Sequence, residues 1–134
     1  MNGHVGIEIR GKTENLGIAS KFIGNTMAKF GLNDYTQFQV QISVEEALKN
    51  IMEHGNLEED KIKIKCQKNG EIKIFIQYPG KSFDPAAFKK TSLKTDSSND
   101  RKEELKVYFI RKYMNNIKHE FENGMNILIL TKRV

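Results

Sequence analysis

The chain has 134 residues, 38% of them hydrophobic and 29% charged, with two prolines, ten glycines and a formal net charge of +5. That composition is the one of a folded soluble protein, and the length suits one domain spanning 1–134 with a core of its own. The single cysteine, Cys66, excludes an intrachain disulfide framework, and no apolar run reaches the roughly 20 residues that cross a bilayer. "MNGHVGIEIRG" lacks the apolar block of a secretion signal, so the expected location is the cytoplasm, with no membrane partner.

In chain order, "HVGIEIR" alternates as a strand does. Glu14 to Phe30 carries Leu16, Ile18, Ala19, Phe22, Ile23, Met27 and Phe30 close to helical spacing, and Gly31 stands where a helix stop belongs. After "GLNDY" a second helix is predicted from about Thr36 to His54, ended by Gly55 and Asn56. "KIKIKCQ" and "EIKIFIQ" then alternate around "KNGE", a hairpin with Asn69-Gly70 at the turn. Cys66 shares the side of Ile62 and Ile64, so it reads as a core thiol without a redox role.

Beyond the hairpin, "YPGKSFDP" is loop, and the polar stretch "KKTSLKTDSSND" has no periodicity and suits a lid. "EELKVYFIRKYM" is predicted helical, with Leu105, Tyr108, Phe109 and the stem of Lys112 facing inward. The chain closes on a second hairpin, "IKHEFE", the turn "NGMN" and "ILILTKR". This order argues for an α+β fold, a two-layer α/β sandwich whose mixed, mostly antiparallel sheet carries helices on one face. Charge is concentrated between Lys89 and Lys118, with nine basic and four acidic residues. Such a segment is either a patch for an anionic partner or a solvated lysine-rich face.

The second helix carries the chemistry. On its wheel Val40, Val44, Ala47, Leu48, Ile51 and Met52 form one apolar arc, and Ser43, Glu46, Asn50 and His54 lie along one border of it. A carboxylate beside an amide in a half-buried row can steer a hydroxyl, and the amide oxygen can ligate Mg²⁺. The same row also suits a solvated flank with His54 stabilising the helix C-terminus. Nucleic acid fits poorly as a partner, because Glu45, Glu46 and Glu53 oppose Lys49 alone on this helix. No HExxH or His pair suggests a metal hydrolase.

"VEEALKNIMEHG", followed by a hairpin and "GKSFDP", resembles the ATP-binding domain of the anti-sigma factor serine kinases, within the superfamily of gyrase, histidine kinases and MutL. The resemblance covers nearly the whole chain and implies a histidine-kinase-like ATPase fold. It implies that Glu46 orients or deprotonates an attacking serine hydroxyl and that Asn50 ligates Mg²⁺, with His54 completing the motif. In the second motif Gly80, Phe83 and Asp84 match. Tyr78 stands where an Asp accepts a hydrogen bond from the adenine amino group, and Ser82 replaces a glycine. Where a third motif places phosphate-cradling glycines, this chain has Glu104 and Lys106.

ATP and Mg²⁺ are therefore the implied cofactors, with affinity weakened or lost. Losing one charge-assisted hydrogen bond alone costs about 1.5–3 kcal/mol, roughly 10- to 150-fold in affinity. The implied partners are an anti-sigma-factor antagonist or a sigma factor, and a homodimer is left open. Two roles follow from the resemblance: a partner-switching regulatory domain, or an active ATP-dependent protein serine kinase.

Overall fold

The computed structural model describes residues 3–87 and 105–134, so the expected lid at 89–100 and Glu104 lie outside the described residues. Strand β1, Gly3–Arg10, sets Val5, Ile7 and Ile9 directly opposite Cys66, Ile64 and Ile62. A 3₁₀ turn, Thr13–Asn15, leads into α1, Leu16–Lys29, which buries Ala19, Ile23, Thr26 and Met27. Ile18, counted on the apolar face, is instead 54% exposed. It sits about 100° round the helix from Ala19, off the arc that the buried four define. Gly31 ends the helix at φ 85°, where Leu32 N donates to Met27 O and Gly31 N to Ala28 O, the paired bonds of a Schellman cap.

Helix α2 runs Asp34–His54, two residues longer at its start than the sequence suggests. The cause is Asn33, whose Oδ1 accepts from Thr36 N at 2.8 Å and caps the first turn. Its apolar arc is buried as expected, and Ser43 and Asn50 are buried with it. β2, Lys61–Asn69, and β3, Glu71–Pro79, form the hairpin, with Gly70 at φ 78°. Cys66 lies in the core, and burial pushes its thiol pKa from an ordinary 9.0 up to about 12.

The next helix departs from expectation. α3 covers only Tyr108–Tyr113, and Val107, Ile110 and Met114, three and four residues apart, turn inward. Tyr108 is 62% exposed, and Lys112 lies outside over the rings of Tyr108 and Tyr113 at 5.3 and 5.7 Å. β4, Asn116–Glu122, and β5, Met125–Arg133, are joined by Asn123 (φ 54°) and Gly124 (φ 75°), both left-handed as a type I′ turn requires. β5 thus begins inside the expected turn, which places Asn126 on a strand.

The five strands run in the order β1-β2-β3-β5-β4, and all four pairings are antiparallel. The inward set Ile62, Ile64, Ile72, Ile74, Ile76, Leu128 and Leu130 packs under α1 and α2, with α3 against α2. This is the expected two-layer sandwich. Among the described residues no helix is long and apolar enough to cross a membrane.

Candidate functional site

Three of the four polar residues bordering the α2 arc are brought together, and each is engaged by backbone. Asn50 is 3% exposed, and its Nδ2 donates to Pro85 O at 2.9 Å and to Lys106 O at 2.8 Å. Two carbonyl oxygens at that distance leave only the nitrogen able to face them. One amide therefore ties both the loop after β3 and the segment before α3 to α2. Glu46 Oε1 accepts from Ile110 N at 2.9 Å, satisfying a first-turn donor of α3 that has no partner within the helix. Ser43 Oγ lies 2.7 Å from Gln39 O and 3.3 Å from Phe109 O. His54 stands apart, exposed at the helix end, its ring 6.2 Å from that of Phe83.

A second cluster gathers at the end of β3. Tyr78 is 1% exposed, and its hydroxyl donates to Phe83 O. Burial first, and the charge of Asp84 second, push its phenol well above the usual range. Gly80 adopts φ 118° and donates its N–H to Gly124 O at 3.0 Å. A side chain is disfavoured at that φ, which explains the glycine. Asp84 Oδ1 accepts from Ala86 N at 2.9 Å, closing a local turn.

Asn126, which sequence reasoning missed, organises this loop. Fully buried on β5, its Nδ2 reaches Tyr78 O at 3.3 Å and Lys81 O at 3.1 Å. Its Oδ1 accepts from Phe83 N at 2.9 Å and lies 2.8 Å from His119 Nε2, which must carry the proton in that contact. The available signal was alternation: extending Leu130 and Leu128 back by two places Asn126 inward. Its assignment to the turn hid this.

Between α2 and residues 106–109 runs a cleft of about 220 Å³, bordered by Glu45, Glu46, Lys49, Glu53 and Lys106 with Ile42 and Phe109 at its apolar side. Ligand pockets generally measure roughly 300–1,000 Å³. Three carboxylates against two ammonium groups favour a cation over a polyphosphate there. Ser20 Oγ donates to Glu45 Oε2 at 2.5 Å, so that carboxylate is already held from α1. Among the described residues no group of three or more His, Cys, Asp or Glu could hold a metal ion.

Residues 9–132 match the histidine kinase-like ATPase domain family. Among solved structures, the RsbU and RsbW domains of Rv1364c from Mycobacterium tuberculosis are similar at a TM-score of 0.69 with 11% sequence identity. The match covers 97% of this chain and 31% of that one, so the chain spans about a third of that structure's length. At this identity the likeness is one of fold. No curated protein sequence matches the chain.

Proposed function

Because the chain belongs to the histidine kinase-like ATPase domain family, we propose that it is a regulatory domain that acts by binding and exchanging protein partners, without nucleotide chemistry. Domains of this family generally bind ATP with Mg²⁺. The observation that carries the proposal is the Asn50 amide, committed to Pro85 O and Lys106 O where the resemblance would have it face a metal ion.

Other residues point the same way. At the position of the adenine-binding carboxylate, Tyr78 contributes a buried ring whose hydroxyl is used by Phe83 O. Glu46, the residue that would steer a serine hydroxyl, caps α3. Glu45, Glu46 and Glu53 along the cleft would repel a triphosphate. The residues present do not fit Mg-ATP.

The partner class comes from the resemblance to the anti-sigma factor serine kinases: a sigma factor or an anti-sigma-factor antagonist, met in the cytoplasm. Nucleic acid is excluded from that class by the carboxylates of α2. The test is binding of the full chain to such a partner with ATP, with ADP and with no nucleotide. Affinities agreeing within about threefold, a difference of roughly 0.7 kcal/mol, support the proposal. Binding that requires ATP, or phosphate transfer to the antagonist, would overturn it and establish the active-kinase role.

A further inference from the structure

Among the described residues seven large hydrophobic side chains are exposed, and three of them, Tyr35, Phe38 and Tyr108, stand on two helices in contact. Tyr35 is 66% and Phe38 50% exposed. With the half-buried Ile42 they follow at three- and four-residue spacing, so they share the outward face of the first turns of α2. Ile42 and Phe109 line the apolar side of one cleft, which sets α3 against that face. The Phe109 ring lies edge-on to Tyr108 at 5.1 Å and is stacked with Tyr113 at 6.0 Å. None of these six side chains belongs to the core or packs against it, so burial within the fold does not account for them.

Lys112 is held within this surface. Its Nζ donates to Tyr108 Oη at 3.1 Å and lies over the Tyr108 and Tyr113 rings. The bond to Tyr108 first, then the phenols of Tyr113 and Tyr35, raise the pKa of the ammonium, so Tyr35 acts on it from across the groove on α2. An ammonium has three donors and the bond to Tyr108 uses one. The side chain is thus ordered before a partner arrives and still has protons to donate. On the α3 side the charge is of one sign: residues 105–118 include Lys106, Arg111, Lys112 and Lys118 and no acidic residue.

Resting on the partner-binding reading above, we propose that this aromatic surface receives a short acidic segment of the protein partner. Its apolar side chains lie on Tyr35, Phe38 and Phe109, and one of its carboxylates pairs with Lys112. Rigid aromatic rings and an ordered cation are what interfaces concentrate at their energetic centres. From Tyr35 to Ile42 the surface is about 10 Å long, room for roughly two turns of a docked helix. Beyond it α2 presents Glu45, Glu46 and Glu53, which repel further carboxylates and confine the acidic part of the segment to that length. An anionic membrane surface is the other occupant that exposed rings and lysines suggest. It fits worse, because Glu53 lies five full turns from Tyr35 on the same face of α2 and a flat bilayer would meet both.

Amide NMR of the isotope-labelled full chain, titrated with two synthetic peptides of about ten residues, tests this. Both carry Leu and Phe at helical spacing; one has Glu and the other Lys at the positions between. The acidic peptide should bind saturably with a Kd below about 1 mM and move the resonances of Tyr35, Phe38, Tyr108 and Lys112 most. The basic peptide should bind at least about 10-fold more weakly. Lys112→Glu should invert that preference, and Phe38→Ala should weaken the acidic peptide by about 10-fold. Both side chains are exposed, and circular dichroism confirms that the variants remain folded. Equal binding of the two peptides, shifts centred elsewhere, or no binding of the acidic peptide would overturn the proposal. So would co-sedimentation with phosphatidylglycerol vesicles that Phe38→Ala abolishes. A sigma factor or antagonist that binds wild type and Lys112→Glu alike without nucleotide would overturn this site and leave the partner-binding reading standing. Binding that requires ATP yet is lost in Lys112→Glu would overturn that reading and keep the site.

Discussion

Replacing Asn50 with Asp exchanges one NH₂ for an oxygen and leaves the side-chain shape intact. The wild-type amide donates to Pro85 O and Lys106 O at 2.9 and 2.8 Å. Each such bond contributes about 0.5–1.5 kcal/mol net, and a buried carbonyl left facing another acceptor costs about 1–3 kcal/mol more. Pro85 is buried while Lys106 is exposed, so the second penalty applies fully to one carbonyl only. The sum is about 2–6 kcal/mol, a large share of the roughly 7–20 kcal/mol expected for a chain this size. In a thermal melt followed by circular dichroism, that is a fall in Tm of about 8–24 °C. The new carboxyl would have its folded pKa raised, so the deficit should shrink as pH falls through that raised value, where the group regains a proton to donate, and be smallest below about 4. A loss under about 1 kcal/mol would refute the clamp and return Asn50 to the role of a metal ligand.

Tyr78→Asp should not rebuild an adenine site; it should destabilise by about 3–5 kcal/mol through the emptied ring volume, read by urea titration alongside ATP calorimetry. Glu46→Ala removes the cap on Ile110 N and should cost about 0.5–2 kcal/mol, with Glu46→Gln costing less because an acceptor remains. A drop in phosphate transfer without that loss of stability would contradict the capping role. Stability should also fall at alkaline pH. The folded Cys66 thiol titrates at about 12, above its ordinary 9.0, so the unfolded chain loses the proton first. Stability present below pH 9 then declines up to about pH 12, at about 1.4 kcal/mol per pH unit. Tyr78 acts in the same sense above its own ordinary value, and Cys66→Ala should flatten the early part of the slope.

The strands and α2 were legible because period-two and period-3.6 patterns are local. Ile62, Ile64 and Cys66 against Lys61, Lys63 and Lys65 leave one choice of face, and the arc from Val40 to Met52 is equally plain. The polar row on α2 was visible too, but its partners were not. Pro85 O, Lys106 O and Ile110 N are backbone atoms 35, 56 and 64 residues away, and no side-chain pattern announces them. The same long-range contacts explain the misread third helix. "EELKVYFIRKYM" has helical composition, yet Lys106 O is held by Asn50 and the cap from Glu46 falls on Ile110 N, so the helix begins at Tyr108. Tertiary contacts outweighed propensity there. At Tyr78 the departure from the family motif was readable, but not that the ring is buried and its hydroxyl braces Phe83.

Isothermal titration of Mg-ATP into the full chain separates a partner-binding domain from a working ATPase. A site filled by Tyr78 and clamped by Asn50 predicts no saturable heat up to about 1 mM nucleotide, weaker than about −4 kcal/mol. A dissociation constant of about 10 µM or tighter, lost in Asn50→Ala, would show that the amide serves a metal and nucleotide after all.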